Sequence, residues 1–489
     1  MSRQRATGRH DLLIDGKRVE PADGEYTDTV DPASGEAVAT VAVGGSADVD
    51  AAVAAASASA PDWAATDPVE RGRTLYRVAE LIRDHADELA ALETRDQGKP
   101  RSQARSDVLS GARYFEYYAG AADKLEGTTV PVGTGQVDYT VREPYGVSAQ
   151  IVPWNFPGNL FCRGVAPALA AGNTAVVKPA PTTPLSAYRL AELCHEAGVP
   201  EGAVNVVSGA GETGAALTGH AGVDTITFTG SVATGQRVME AAAGNVTPVT
   251  LELGGKNPAI VYPDADLEEA AAWIETGIFT NAGQVCSAAD RAIVHEDVYE
   301  AFVDRIVARA EAYDLGPGEE DPDMGPLNSE AHFERVLDYV EVGRTEGATL
   351  ATGGEALDRP GYFLEPTVFT DVDNDMRIAQ EEIFGPVLAV IPYGDDEDPV
   401  AIGNDVAFGL VAGVFTDDVR RAHRAAGRLE AGNVYVNKWF GDTNQTPFGG
   451  YKHSGIGREK GLAALDSYLQ TKNVAVNLES GEGGDLPGA

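Results

Sequence analysis

Between residues 173 and 253 the apolar positions arrive as short runs separated by amphipathic stretches. Thr174 to Lys178 precedes Leu185 to Ala197, Ala203 to Val207 precedes Gly211 to Thr218, Thr225 to Thr229 precedes Ser231 to Ala243, and Val249 to Leu253 closes the series. Apolar runs of strand length alternating with stretches of helical period predict a parallel, doubly wound sheet. A second series follows Cys286: Ala292 to His295, helices around Ala301 to Ala312 and Glu330 to Thr345, Val387 to Ile391, a helix over Val419 to Arg428, and Asn433 to Asn437. The chain therefore reads as two α/β domains with Glu252 and Cys286 near their junction, where clefts form. Upstream, Leu75, Val78, Ala79, Ile82, Leu89 and Leu92 recur at helical spacing, which predicts helix over 46–95 capped by Ser46. Gly98-Lys99-Pro100 interrupts, and a second helix is predicted from Gln103 to Ala121. Over 128–152 the pattern changes to Val-rich alternation broken by Gly133, Gly135 and Pro144-Tyr145-Gly146, the signature of strands and hairpins. No internal repeat stands out, and residues 479–489 predict a disordered tail.

Composition adds limits to this picture. At 489 residues the length fits about three domain-sized units. The chain is 43% hydrophobic and 23% charged, and no apolar run approaches the roughly 18 residues of a membrane span. The basic N-terminal decapeptide has no apolar segment behind it, so a secretory signal is not expected and a cytoplasmic location is. A formal net charge of −38 argues against nucleic-acid and anionic-membrane partners, because phosphate contacts need clustered Lys and Arg. The acid is dispersed rather than gathered in one tail, the pattern of a surface solvated in concentrated salt, and a halophilic cytoplasm is expected. Three cysteines, Cys162, Cys194 and Cys286, with no short C-x-x-C make no disulfide framework, and the scattered histidines show no metal site.

Chemistry concentrates at Cys286, in Asn281-Ala282-Gly283-Gln284-Val285-Cys286, and at Glu252, in Glu252-Leu253-Gly254-Gly255-Lys256. A thiol among small and amide-bearing residues, with a carboxylate in a glycine-rich turn, suggests covalent catalysis on a carbonyl followed by attack of an activated water. Gly209-Ala210-Gly211-Glu212-Thr213-Gly214 follows a strand and opens a helix, as a dinucleotide fingerprint does, yet the acidic residue expected about 20 positions on is missing. It serves either a phosphate or a simple turn. Phe228-Thr229-Gly230-Ser231 is a second candidate, with a hydroxyl able to cap a helix N-terminus facing a phosphate.

Together with Pro153-Trp154-Asn155-Phe156-Pro157, Lys178-Pro179, Glu382-Ile383-Phe384-Gly385-Pro386 and Pro447-Phe448-Gly449-Gly450, these motifs make the chain resemble the aldehyde dehydrogenase superfamily along nearly its whole length. The resemblance implies a Rossmann-like cofactor domain over 1–122 and 145–253, a second α/β catalytic domain over 254–468, and oligomerisation strands at 123–144 and 469–478, joining a homodimer or homotetramer. It implies oxidation of an aldehyde to its acid with reduction of NAD or NADP. Cys286 is then the nucleophile, Asn155 an oxyanion donor with the Cys286 N–H, and Glu252 the base that activates water on the thioester. Cofactor contacts would come from Trp154, Lys178, Gly211, Gly230, Ser231, Glu382 and Phe384. NAD-preferring members carry a glutamate three residues after the lysine, where this chain has Pro181, so NADP use is permitted. Arg163 matches the arginine with which semialdehyde-oxidising members bind a distal carboxylate, although benzaldehyde- and vanillin-type members also resemble the chain there. The second arginine of the succinate semialdehyde enzymes is Thr280 here, which leaves the aldehyde open. Cys162 falls along the expected substrate passage, and Cys194, inside a helix, reads as packed. Coenzyme A-acylating members usually lack the glutamate and the tryptophan, so Glu252 and Trp154 argue against that variant, and intact Asn155, Glu252 and Cys286 argue against a non-catalytic relative.

Overall fold

Five parallel strands form the centre of the first sheet, in the order Val249–Glu252, Thr225–Thr229, Val147–Val152, Thr174–Pro179 and Val204–Val206. The structure, a computed structural model, describes residues 8–441 and 443–478, so the tail expected at 479–489 lies outside the described residues. From Val147–Val152 the chain steps outward to Thr174–Pro179 and Val204–Val206, then returns to place Thr225–Thr229 on the opposite side. That reversal is a topological switch point, and the carboxyl ends of the strands beside it open a crevice. Antiparallel strands finish both edges: Leu12–Ile14 and Lys17–Val19 at one, Gly455–Ile456 at the other. Helices cover both faces, with Ser46–Ala65 on one side and Pro68–Asp84, Arg101–Ala119, Pro157–Ala171 and Leu185–Glu196 on the other.

The second sheet has seven strands, ordered Thr349–Thr352, Thr367–Thr370, Val387–Tyr393, Arg291–His295, Pro258–Val261, Val411–Phe415 and Asn433–Val436, parallel except at its first edge. A third, three-stranded sheet pairs Gln136–Pro144 with Leu469–Asn477 and Thr129–Val130. The fold is thus α/β with a Rossmann-like unit, a second α/β unit and a small β element.

Three local readings change. The helix expected over 46–95 is three: Ser46–Ala65, Pro68–Asp84 and Ala86–Gln97. Pro68 keeps Asp67 out of the helical region, and the Asp67 carboxylate starts the next helix by accepting from Val69 N at 2.9 Å. Gly45, not Ser46, is the cap, and its N–H donates to Asp48 Oδ2 at 2.9 Å. Residues from 455 to 468, expected with the second unit, reach back to the first: Gly455 pairs with Glu252, and Ala464, Leu465 and Tyr468 join the first core. The small sheet of Arg9–His10, Tyr26–Asp31 and Glu36–Ala42 has no clear counterpart in the hydrophobic pattern.

One buried arginine fixes the passage from the first sheet to the second. Arg291 donates to Lys256 O at 2.9 Å, to Gly403 O at 2.8 Å and to Asn374 Oδ1 at 2.9 Å. Arg291→Met leaves those buried acceptors unpaired, at about 1–3 kcal/mol each. The expected outcome is a midpoint of thermal unfolding lowered by at least several degrees.

Candidate active site

Asn155 leaves the carboxyl end of Val147–Val152 just before helix Pro157–Ala171, at the switch point. Its position is set by a buried cation that the sequence reading did not single out. Lys99 Nζ lies 2.8 Å from Glu93 Oε1 and 2.7 Å from Asp107 Oδ2, donates to Asn155 O at 2.9 Å, and sits 4.1 Å above the Phe156 ring. With its backbone held, Asn155 directs its side-chain amide to Gln284 O at 3.0 Å, two residues before Cys286. Asn281 Nδ2 returns a bond to Asn155 O at 3.0 Å, closing the link between the two units.

The Cys286 loop needs unusual backbone. Asn281, Ala282 and Gly283 have φ of 52°, 55° and 72° in succession, and a side chain on Gly283 would begin 2.0 Å from Gly385 O. Left-handed non-glycine residues in sequence cost free energy and persist only where surrounding bonds fix them. Here Gln284 does so, donating to Asn281 O at 2.8 Å and accepting from Asn328 N at 2.9 Å. Asn257 Nδ2 donates to Cys286 O at 3.0 Å, tying the loop to the strand that follows Glu252. Burial pushes the Cys286 thiol up to about 12; Arg163 opposes this, while Glu252 and Glu382 add to it.

Glu252 ends Val249–Glu252 and is buried, with neither carboxylate oxygen hydrogen-bonded. Burial holds its carboxyl well above the usual range; Arg163, 3.7 Å away, pulls it down and Glu459 pushes it up. Arg163 is itself buried and also makes a close contact with the Glu459 carboxylate, over the Phe448 ring at 4.6 Å. The Arg163 charge, expected to meet a distal substrate carboxylate, is thus engaged by two carboxylates of the protein. Cys162, expected along the substrate passage, lies in the first core against Gly111. Cys194 is buried in the same core.

The remaining motif residues line the crevice at the strand ends. Lys178 is buried beside Gly214, donates to Pro179 O at 3.0 Å, and faces no carboxylate among the described residues; burial lowers it to about 8. Ser231 caps Val232–Ala243 by accepting from Thr234 N, leaving the other N-terminal amides of a 12-residue helix at the crevice. Gly211 opens a helix whose Thr213 hydroxyl is spent on Gly44 O at 2.6 Å, which favours a structural use of the fingerprint turn. Glu382 accepts from Gly255 N at 3.1 Å, and burial raises it to about 7. A side chain on Gly254 would begin 2.1 Å from Glu382 Oε2. Trp154 packs edge-on to Phe384 at 5.2 Å and tilted on His332 at 5.1 Å, and His332 Nε2 bonds Phe384 O at 2.8 Å. An uncompensated lysine, a helix N-terminus and a carboxylate along one crevice suit a ligand with both phosphates and ribose hydroxyls.

A sequence profile of the aldehyde dehydrogenase family matches residues 19–474. The chain belongs to the aldehyde dehydrogenase family. It is 45% identical over 472 residues to hydroxyisobutyraldehyde dehydrogenase of Mycolicibacterium austroafricanum, covering 96% of this chain and 94% of that one. The NAD+ complex of aldehyde dehydrogenase from Bacillus cereus superposes with a TM-score of 0.95 at 44% identity, covering 96% and 97% of the two chains. Betaine aldehyde dehydrogenase of Staphylococcus aureus, also solved with NAD+, superposes at 0.94 with 39% identity, covering 96% and 95%. Within this aldehyde dehydrogenase, Lys99, Asn257, His332 and Glu459 escaped the sequence reading. The acidic helix Ala86–Gln97 just before Gly98-Lys99-Pro100 was the available signal for the first.

The neighbouring carboxylate gives a direct test of the thiol's surroundings. Because Glu252 disfavours the thiolate, Glu252→Gln is expected to move the pH midpoint of Cys286 alkylation by iodoacetamide downward from the wild-type value. Following the modified peptide by mass spectrometry separates Cys286 from the two buried cysteines.

Proposed function

We propose that this enzyme, which oxidises aldehydes, does so with Cys286 as nucleophile, Asn155 as oxyanion donor and Glu252 as general base. The observation that carries the reading is the Asn155 amide, locked by Lys99 and aimed at the backbone of the Cys286 loop. Proton loss from the thiol gives a thiolate that bonds to the aldehyde carbon, and the carbonyl π electrons move to oxygen. Asn155 Nδ2 and the Cys286 N–H stabilise that oxyanion, each by about 3–4 kcal/mol. NAD or NADP, when bound, supplies the acceptor for the hydride that leaves the tetrahedral carbon as the thioester forms. Lys178, Ser231 and Glu382 would hold the cofactor, with Trp154 and Phe384 packed at its reactive end; Pro181 in place of an acidic residue removes repulsion toward a 2′-phosphate. Glu252 then takes a proton from water as the new C–O bond forms, the C–S bond breaks, and the acid departs.

The engagement of Arg163 turns the substrate reading toward uncharged aldehydes, and the hydroxyisobutyraldehyde relative places small hydroxylated ones first in a panel. We further infer a cytoplasmic homo-oligomer. The exposed apolar Val130, Val137, Tyr139 and Val476 on the third sheet support association, and three free thiols suit a reducing compartment. A monomeric mass by light scattering in both low and high salt would overturn the oligomer.

Aldehyde-dependent reduction of NAD or NADP without coenzyme A is the expected result with purified protein; strict dependence on coenzyme A would overturn hydrolytic release. Asn155→Ala should lower kcat about 10²- to 10³-fold. Glu252→Gln should give one equivalent of reduced cofactor per site in stopped flow and then stall, and Cys286→Ala should give none.

A further inference from the structure

Arg163 is buried, on helix Pro157–Ala171, and faces two carboxylates from two other segments. Glu252 Oε2 lies 3.7 Å from its terminal nitrogen, and Glu459 Oε2 meets its Nε in a closer contact. All three attachment points are held by backbone bonds. Glu252 pairs with Gly455 across the sheet edge, and Glu459 and Phe448 exchange bonds of 2.7 and 2.8 Å beneath the guanidinium. We propose that Arg163 is a positioning residue for release of the acid: held between Glu252 and Glu459, it keeps Glu252 able to accept the proton of the attacking water, and it binds no part of the aldehyde.

The reasoning rests on Glu252 as the general base. A buried carboxylate beside a second carboxylate favours its protonated form, and a protonated base accepts nothing. With two carboxylates and one guanidinium, the cluster carries one excess negative charge. Uptake of the water proton by Glu252 relieves that excess and leaves the Arg163–Glu459 pair neutral. Without Arg163 the resting cluster would hold two facing anions, so Glu252 would retain its proton. A substrate carboxylate at Arg163 would instead add a third anion to the same pocket, which argues against the distal-carboxylate role. The other charges that reach Glu252 are Arg458 and Lys460, both favouring its ionised form. Cys286, Tyr114 and Tyr468 are the other titratable groups close enough to act on Arg163.

The test isolates acid release from the cofactor. An activated ester, 4-nitrophenyl acetate, acylates Cys286 with loss of nitrophenolate, so the burst reports acylation and the later steady rate reports hydrolysis of the thioester. Arg163→Met should keep the burst amplitude, though with a slower burst because the Cys286 thiolate also loses a favourable charge, and should move the rise of the steady rate to higher pH by roughly 1–3 units, the usual effect of removing a contacting opposite charge. Arg163→Lys should restore part of the shift. Glu459→Gln, which removes the competing carboxylate, should move the rise to lower pH; an unmoved profile there overturns the proposal even where Arg163→Met fails to fold. An unmoved profile in folded Arg163→Met also overturns it. So does a defect confined to KM for aldehydes bearing a distal carboxylate, with neutral aldehydes unaffected. Glu252→Gln tells the two levels apart: if it hydrolyses the thioester at the wild-type rate, the base assignment itself fails and the proposal falls with it. If it stalls while Arg163→Met is unchanged, the positioning role alone fails.

Discussion

A lysine ammonium with no exposed side-chain surface, Lys99, ties the first unit's helices to the reacting loop. Removing such an ion from water costs several kcal/mol, and the structure offsets this with Glu93, Asp107, the Asn155 carbonyl and the face of Phe156. These partners come from helix Ala86–Gln97, helix Arg101–Ala119 and the turn that enters helix Pro157–Ala171. Because one carbonyl of that turn is shared with Asn281 of the second unit, the same cation sets where Asn155 points and where the Cys286 loop rests. A change at Lys99 therefore reaches both sides of the crevice through the Asn155 carbonyl.

Burial acts on every ionisable group around the crevice in the same direction, toward its uncharged form. It raises Cys286 to about 12, Glu382 to about 7 and Glu252 well above the usual carboxylate range, and lowers Lys178 to about 8. Apolar packing therefore creates the electrostatic problem that the proposed covalent catalysis must solve, because thiolate and carboxylate would be its working forms. The remedies are local and unequal. Cys286 has Arg163 and Lys460 in its favour and two carboxylates against it, while Glu252 has Arg163, Arg458 and Lys460 against a single opposing carboxylate. Arg163 touches both environments, favours the ionised form of each group and is itself buried.

The parallel sheets were legible because their strands are apolar runs of fixed length between helices of strong period. Thr225–Thr229 and Gly211–Thr218 fall where the pattern placed them, and Arg291–His295 begins one residue earlier. Errors arose where one residue decides a boundary. Pro68 split a long helical pattern that alanine content made continuous, and Gly45 took the cap from Ser46. The return of Gly455–Ile456 to the first sheet was illegible for a different reason: pairing of Gly455 with Glu252 joins residues distant in sequence, and a glycine carries no pattern.

Sequence by itself determined the chemistry on offer. Cys286, Glu252 and Ser231 stand out by residue type and local context, while Asn155, Lys178 and Glu382 are singled out by the family resemblance of the short motifs that hold them. Only the tertiary structure decided what each of two neighbouring helix residues faces. Cys162 turned into the core, and Arg163, one position on, turned toward Glu252 and Glu459. Successive helix residues point about 100° apart, so adjacency in sequence gives opposite surroundings. The partner of a buried charge is fixed by which distant segments the fold brings to it, and no local pattern encodes that.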